Sequence, residues 1–420
     1  MSGKRLVGPS AWIFGAAGAF IGVVAAWLVS QGNPGNMGLC IACFLRDTTG
    51  FFGGAKANMG AVAYIRPEII GLILGAAIAA FATKEFRPRG GSGTLLRFVL
   101  GFIFMVSALI FLGCTVRAWL RLGGGDLNAL YGVAGIIVGV SIGAVFLKNG
   151  YNLGRSKRLP APLGWLGVLL AVVLLGLALA SASGTAPNGF TVTKAKAFAT
   201  GTTPPAVFLK GPDGKPSTIL KPDGAMLAPD GSIVGADGAV VASAEAVAKA
   251  KPQPGGKRAP IAISLVAGLV LGTVAQRSRF CSIGGIRDVV LVKRFDLLFG
   301  VIGLLVGAFV ANVALGQFNL GFENQPIAHT DALGNFAAMV VAGLAAVMLG
   351  GCPFRQVIMS GEGDADAFAA VLGMAAGAFV AHWQGIASSA KGLSQLGWPA
   401  LAVMAVVLVA IALIKRERAA

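Results

Sequence analysis

Charged residues and histidines are scarce in this chain. Charged residues make up 12% of its 420 positions and only 2 histidines occur, whereas 56% of the residues are hydrophobic. A soluble domain carries about 25% charged residues, so this composition excludes that class and predicts a polytopic membrane protein. Neither His329 nor His382 neighbours a cysteine. The sequence therefore predicts neither a zinc site nor any other cofactor.

The chain also contains no nucleotide-binding loop of the form G-x4-G-K-[ST]. This absence argues against an activity driven by ATP hydrolysis. We expect His329 to be a solvated loop residue. His382 lies beside Trp383 in an apolar run, so we expect it to be a packed or interfacial side chain.

Long apolar runs divide the chain into segments that approach the roughly 20 residues a helix needs to cross a bilayer. We therefore predict an all-α membrane protein with about ten spans. Three Gly-rich, charged segments between these runs are predicted to be short re-entrant helices, because irregular backbone at membrane depth needs a covering of protein. These segments are 39–62, 117–128 and 355–366, and the spans are expected at about 11–30, 68–83, 95–113, 130–147, 162–182, 260–276, 296–316, 333–350, 367–385 and 396–414.

The formal net charge of the chain is +17. Its basic residues lie in short loops rather than in one soluble module, which argues against a nucleic-acid partner. Cytoplasmic loops of membrane proteins carry an excess of lysine and arginine. This rule places both termini in the cytoplasm and leaves Glu323, His329 and Asp331 outside.

Two motifs occur twice in the chain. The pattern G-C-x-x-R-x5-G-x-G-D appears in both halves without a gap, and so does a shorter pattern, C-x5-R-D. Four of the five cysteines therefore occupy matched positions, each near an arginine. The matched pairs are Cys40 and Cys281, Arg46 and Arg287, Asp47 and Asp288, Cys114 and Cys352, Arg117 and Arg355, and Asp126 and Asp364.

The duplication predicts a first membrane repeat at 1–182 and a second at 260–420. Each repeat contains an odd number of spans, so we expect the second copy to enter the membrane in the opposite sense. Inverted repeats place the functional site at the repeat interface near the bilayer midplane. The intervening segment, 183–259, is rich in Pro, Gly and Asp-Gly pairs. Those pairs favour hairpins, but a disordered linker fits equally well, and the segment is expected outside the cytoplasm.

The matched cysteines and arginines suit a small, soft anion. A thiol is a weak, polarisable donor, and a helix start adds N–H groups and the positive end of its dipole. We therefore expect Cys40, Cys114, Cys281 and Cys352, with Arg46, Arg117, Arg287 and Arg355, to line a substrate path. Buried cysteine as a small apolar residue is the alternative. The C-x-x-C spacing of Cys40 and Cys43 also fits a redox disulfide, but Cys43 has no matched cysteine in the second half.

The aspartates of the motifs have two interpretations. Arg46 with Asp47 and Arg287 with Asp288 fit ion pairs that neutralise each other at membrane depth, or aspartates that orient arginines toward substrate. Arg117 and Arg355 precede Asp126 and Asp364 by nine residues, and the intervening glycines would let each arginine pair with its aspartate. All four aspartates are therefore predicted to support the path.

The motifs resemble a known family. The segments G-N-M-G-L-C-I-A-C-F-L-R-D, Y-I-R-P-E-I-I-G, K-E-F-R-P-R-G-G, L-G-C-T-V-R, G-G-G-D-L-N-A-L and G-C-P-F-R-Q are similar to the YedE group, which is assigned to selenium transport. That group belongs to the wider YeeE/YedE family of transporters for thiosulfate and other sulfur compounds. The resemblance covers roughly 1–182 and 260–414. It implies a multi-pass protein of the bacterial inner membrane.

The resemblance also implies roles for individual residues. In the thiosulfate-transporting relatives, cysteines along a narrow central path pass the substrate on through weak S–H···S contacts. By motif, that role falls to Cys40, Cys114 and Cys352, with Cys281 as the repeat partner. This chain departs from the family in having four matched cysteines plus Cys43, and in carrying the Asp-Gly-rich insert.

These observations predict a transporter rather than an enzyme. We expect it to take up a small sulfur or selenium anion without covalent change. Uptake would be coupled to an ion gradient, to a cytoplasmic sulfur or selenium carrier protein, or to nothing. The rival interpretation is a membrane thiol enzyme that passes sulfur or selenium on as a cysteine persulfide or selenosulfide. Replacing Cys43 is predicted to matter much less than replacing Cys114 or Cys352.

Overall fold

Helices form most of the protein. The computed structural model describes residues 7–8, 11–54, 63–183 and 258–416, together with five short strands between 207 and 242. The first half contains α1 (Ala11–Ser30), α2 (Ile41–Thr49), α3 (Pro67–Ala82), α4 (Thr94–Phe111), α5 (Thr115–Gly123), α6 (Asn128–Lys148), α7 (Ala161–Gly164) and α8 (Leu166–Ser183). The second half contains α9 (Ile261–Ser278), α10 (Ser282–Val292), α11 (Asp296–Ala314), α12 (Ala332–Leu349), α13 (Pro353–Gly361), α14 (Ala365–Trp383) and α15 (Gly397–Ile414).

Each apolar run predicted as a span coincides with a helix within a few residues. Within the described ranges, eight helical segments are long and apolar enough to cross a membrane, while α3 and α8 are somewhat shorter. The prediction of an all-α polytopic membrane protein is confirmed. Short helices occupy the described parts of the Gly-rich segments, and α2 ends in a π-helical turn at Gly50–Gly54. Residues 55–62 of the segment predicted at 39–62 lie outside the described residues.

Strands are few and short. A two-residue strand, β1 (Arg89–Gly90), pairs antiparallel with β2 (Lys157–Arg158). In the segment between the halves, five antiparallel strands pair in chain order, and each Asp-Gly pair falls in sequence between two successive strands. Most of that segment lies outside the described residues. Its strands are β3 (Val207–Lys210), β4 (Pro216–Leu220), β5 (Met226–Leu227), β6 (Ile233–Val234) and β7 (Val240–Ala242).

The long helices pack across the two halves in matched pairs. Helix α1 lies parallel to α11, where Gly18 contacts the backbone of Gly300. Its sequence counterpart α9 lies parallel to α3, where Gly268 contacts Gly71. These glycines are required, because a β-carbon at Gly18 or Gly268 would overlap the opposing backbone. The second repeat thus reproduces the packing of the first with the partners exchanged.

The end of α1 and the starts of α3 and α9 lie together on one face of the molecule. Asn33, just after α1, donates to Glu68 at the start of α3 over 2.8 Å. It also accepts a bond of 3.0 Å from the backbone of Ala259, just before α9. We call this the distal face. Because α1 ends where α9 begins, the two counterpart helices run in opposite directions.

The other face, which we call the N-terminal face, gathers the start of α1. The backbone N–H of Gly8 donates to Asp296 at the start of α11 over 2.6 Å. On the same face Glu85, beyond the end of α3, accepts a bond of 2.6 Å from Gln276 near the end of α9. The directions of α1, α3, α9 and α11 are thereby fixed.

The central helices also pack across the two halves, and their counterparts also run in opposite directions. Arg97, near the start of α4, donates to the carbonyl of Leu349 at the end of α12 over 2.7 Å, so these counterparts are antiparallel. Gly139 of α6 packs on Val340 of α12. The reciprocal contact places Gly373 of α14 on the backbone of α4. The short helices α2, α5, α10 and α13 lie among these long helices.

Candidate functional site

Each repeat-matched cysteine stands immediately before a short helix. Cys40 precedes α2, Cys114 precedes α5, Cys281 precedes α10 and Cys352 precedes α13. Three of these thiols accept a bond from a backbone N–H in the first turn: Cys40 from Cys43 at 3.3 Å, Cys281 from Gly284 at 3.2 Å and Cys352 from Arg355 at 3.4 Å. The thiols therefore lie at helix starts, where free N–H groups and the positive dipole end favour an anion.

Before Cys40 the chain turns back alongside α1. Gly38 packs directly on the carbonyl of Ala25, more than one helical turn inside the end of α1. A side chain at position 38 would overlap that carbonyl, which explains the glycine. The start of α2 is thereby carried into the interior rather than left at the distal face.

Three cysteines and an arginine form a first-half cluster: Cys40, Cys43, Cys114 and Arg117. The sulfur atoms of Cys40 and Cys43 lie 2.7 Å apart, and both residues are free thiols. The side chain of Cys114 contacts that of Cys40. The Nη1 of Arg117 lies 3.6 Å from the sulfur of Cys43. All four residues are buried.

Arg117 of this cluster is fully buried, and it donates to backbone carbonyl groups in addition to the sulfur of Cys43. Its Nε donates to Asn36 over 2.8 Å, its Nη1 to Leu112, and its Nη2 to Pro326 and Ile327 over 3.4 and 3.3 Å. Within the described part of the chain, no carboxylate forms an ion pair with it. A buried charge is costly without an opposite charge, so this site favours the arrival of an anion.

A second-half cluster contains Cys281, Cys352, Arg355 and Glu362. The backbone N–H of Cys352 donates to the sulfur of Cys281 over 3.3 Å. Unlike Arg117, Arg355 is paired: its Nη1 lies 2.9 Å from one oxygen of Glu362 and its Nη2 lies 3.2 Å from the other. This cluster follows the ends of α9 and α12 and therefore lies toward the N-terminal face.

A hydroxyl pair connects the two clusters. The Oγ1 of Thr115, next to Cys114, lies 3.0 Å from the Oγ of Ser282, next to Cys281. Both side chains are fully buried. The starts of α5 and α10 thus meet in the interior, with the first-half cluster on one side of the contact and the second-half cluster on the other.

The predicted ion pairs between adjacent residues are present. Arg46 pairs with Asp47 at 2.6 Å, and Asp47 also binds Arg66 at 2.6 Å. Both members of the first pair are buried. Arg287 pairs with Asp288 at 2.8 Å in a more exposed setting.

The expected pairing of Arg117 with Asp126 and of Arg355 with Asp364 is wrong. Asp126 binds Arg121 at 2.6 Å, because Arg121 lies in the last turn of α5, whereas Arg117 lies a turn earlier. Asp364 binds Arg89 from the other half at 2.7 Å, while Glu362 takes Arg355. Asp126 and Asp364 thus hold the ends of α5 and α13 and do not contact the cysteines.

The prediction that His329 is a solvated loop residue is also wrong. Its side chain is 1% exposed, and its Nε2 lies 2.9 Å from the carbonyl of Ile110. The loop between α11 and α12 folds inward over the end of α4, which the sequence of the loop does not reveal. His382 is half-buried, in agreement with a packed position.

Cys43, for which the sequence predicted at most a minor or a redox role, lies beside Cys40 as the C-x-x-C spacing indicates. Two other residues of the interior were not predicted from the sequence. Glu362 lies inside the repeated motif where the first half has Gly124, and that difference was the available signal. Gln356, one turn after Cys352, is fully buried and neither atom of its amide has a hydrogen-bond partner among the described residues.

Two comparisons with known proteins agree with a site of thiols and arginines that suits a sulfur anion. Residues 277–419 match the family model described as sulphur transport. A stretch of 100 residues is 32% identical to the thiosulfate transporter TsuA of Escherichia coli (strain K12). That stretch covers 24% of this chain and 28% of the relative, so the match spans well under two thirds of the relative's length.

Proposed function

Because residues 277–419 match the sulphur-transport model and a shorter stretch is similar to a thiosulfate transporter, we propose that the chain is a YeeE/YedE-type transporter that takes up a small, soft sulfur or selenium anion. Thiosulfate and related selenium species are the candidate substrates. The proposed path runs from the first-half cluster to the second-half cluster through the Thr115–Ser282 contact. The observation that carries this proposal is the placement of both cysteine clusters at helix starts on either side of that contact.

The chemistry of the path suits a soft anion. Thiols donate weak hydrogen bonds, so the sulfur end of the anion can move from one thiol to the next without being bound tightly at any position. The fully buried Arg117 supplies positive charge in the first-half cluster. Arg46 and Arg287 lie farther along their short helices and are already paired with aspartates, so we assign them a supporting electrostatic role.

Direction follows from the charge distribution. We propose that the N-terminal face is cytoplasmic in a bacterial inner membrane, because the basic loops after α3, α6 and α10 gather there. The first-half cluster then lies toward the outside and the second-half cluster toward the cytoplasm. The opposite directions of counterpart helices support an inverted repeat, with the site at the repeat interface. A cytoplasmic sulfur or selenium carrier protein is a candidate acceptor.

Uptake by whole cells tests this function. Cells that lack other sulfur-anion transporters should accumulate radiolabelled thiosulfate or a selenium anion only when they express the chain. Cys114→Ala and Cys352→Ala should each abolish uptake while the protein stays in the membrane, since each removes the soft contact at its level. Ser107→Ala is the matched control, because Ser107 is buried in α4 and bonds only the Ile103 carbonyl of its own helix.

The same cells separate transport from thiol chemistry. Mass analysis of protein exposed to substrate should show unmodified thiols at Cys114 and Cys352. A stable sulfur or selenium adduct on either cysteine would favour the membrane thiol enzyme instead. Normal uptake after both substitutions together would contradict the cysteine path itself.

A further inference from the structure

Glu362 gathers three arginines around one buried carboxylate. Its two oxygens receive both terminal nitrogens of Arg355, and they also lie 3.0 Å from Arg279 and 3.5 Å from Arg89. The side chain of Glu362 is 2% exposed, whereas those of Arg279 and Arg89 are 44% and 30% exposed. Arg89 also binds Asp364 and Arg279 also binds Glu85, whereas among the described residues Glu362 is the carboxylate that pairs with Arg355.

In the first half, the position that matches Glu362 has the same backbone hydrogen bond but no carboxylate. On the N-terminal face, the N–H of Arg87 donates to the carbonyl of Glu362 over 3.0 Å. On the distal face, the N–H of Asn319 donates to the carbonyl of Gly124 over 3.0 Å in the same way. Gly124 is therefore the structural as well as the sequence counterpart of Glu362.

The arginines around Glu362 show the same asymmetry. The N–H of Arg89 donates to Gly363 over 3.2 Å, and that of Gly321 donates to Gly125 over 3.0 Å. Where the N-terminal face has Arg89 beside Glu362, the distal face thus has two glycines. The common scaffold therefore carries Glu362 and Arg89 near the N-terminal face and glycines at the matched positions near the distal face.

We propose that Glu362 is a built-in counterion that competes with the transported anion for Arg355. This inference rests on the proposed transport function and names the residue that releases the substrate. The two carboxylate oxygens of Glu362 occupy the guanidinium fork of Arg355, the position that a small oxyanion would take. When the anion arrives, Glu362 keeps Arg279 and Arg89 as partners. When Glu362 returns to Arg355, the anion leaves toward the N-terminal face.

Kinetics of the Glu362→Gln variant test this inference. Without the competing charge, an anion at Arg355 should leave more slowly, so the maximal uptake rate and the KM should fall together, by roughly tenfold each. Their ratio should stay near the wild-type value, because entry through the first-half cluster is unchanged. Purified Glu362→Gln protein should also bind thiosulfate at equilibrium about tenfold more tightly. A merely structural defect would instead lower the ratio and would not tighten binding.

A matched control removes the neighbouring carboxylate. Glu85 also binds Arg279, at 2.7 Å, but does not touch Arg355. The hydrogen bond from Gln276 and the charges of Arg279 and Arg277 hold the pKa of Glu85 below its usual value, so it is ionised like a surface acid. Because Glu85 acts on Glu362 only through Arg279, Glu85→Gln should change the KM and the maximal rate far less than Glu362→Gln does. Glu362→Asp, which keeps the charge, should restore most of the wild-type behaviour.

A second pair of variants decides the question if Glu362→Gln does not fold. Arg279 and Arg277 both bind Glu85, but only Arg279 reaches Glu362. Arg279→Gln leaves Glu362 with fewer alternative partners and strengthens its hold on Arg355. The KM should therefore rise severalfold for Arg279→Gln and stay constant for Arg277→Gln.

The outcomes are distinct. Wild-type KM, rate and binding in Glu362→Gln would overturn the counterion inference and leave the transport function intact. If the variant does not fold, an equal KM in Arg279→Gln and Arg277→Gln would overturn it as well. If the wild-type protein neither binds nor transports any sulfur or selenium anion, the proposed function fails and this inference fails with it.

Discussion

The two cysteine clusters share a scaffold and differ in charge. In the first-half cluster, Arg117 is fully buried and binds carbonyl groups and the Cys43 sulfur, and no carboxylate of the described residues pairs with it, so its positive charge is open to an anion. In the second-half cluster, the matched Arg355 is already held by Glu362. The difference teaches that a duplicated unit can be specialised by a few side chains. In the path that we propose, the first copy captures the anion and the second releases it.

The largest expected effect comes from removing the open charge. Arg117→Gln should lower thiosulfate uptake, measured as the ratio of maximal rate to KM, by roughly a hundredfold, because a buried charged partner is lost. Arg355→Gln should have a smaller effect on this ratio, since Arg355 acts after capture. Arg117→Lys keeps the charge but loses the guanidinium fork, so its loss in the ratio should lie between those of Arg117→Gln and Arg355→Gln. A larger loss of capture for Arg355→Gln than for Arg117→Gln would contradict the assignment.

A milder change makes the first-half cluster resemble the second. Gly124→Glu places a carboxylate at the counterpart of position 362, where the new β-carbon meets the end of the Asn36 side chain. The carboxylate should compete for Arg117 and lower the ratio of maximal rate to KM by about tenfold. Gly124→Gln has the same size without the charge and controls for the crowding. Equal uptake by the two variants would show that charge at this position is irrelevant.

The smallest effect is expected at the unmatched cysteine. Cys43 contacts both Cys40 and Arg117, so Cys43→Ala should raise the KM a few-fold while the maximal rate stays near wild type. Uptake measured at several thiosulfate concentrations separates these two parameters. If Cys43→Ala instead abolished uptake and Cys114→Ala did not, a redox role for Cys40 and Cys43 would replace the path.

The sequence predicted the helices well because their signal is local. The apolar runs coincide with α1, α3, α4 and the other long helices, and the duplication identified four cysteines that prove to stand before short helices. Ion pairing was predicted less well, because it depends on which side chains meet across the halves. Asp126 follows Arg117 by nine positions with three glycines between them, yet the helical phase of α5 pairs that aspartate with Arg121.

Burial of polar residues was the other part that the sequence concealed. His329 lies in a loop with charged neighbours, and only the fold shows that this loop covers the end of α4. Glu362 received no role from the sequence, since two of its three arginines come from distant parts of the chain. Such residues are recognised only after the packing of the two halves is known.

The most direct test of the account uses purified protein in liposomes that contain no other protein. The wild-type chain should exchange radiolabelled thiosulfate or a selenium anion across the bilayer, and the double variant Cys114→Ala, Cys352→Ala should not. Exchange by the double variant at the wild-type rate would contradict a path through the two cysteine clusters.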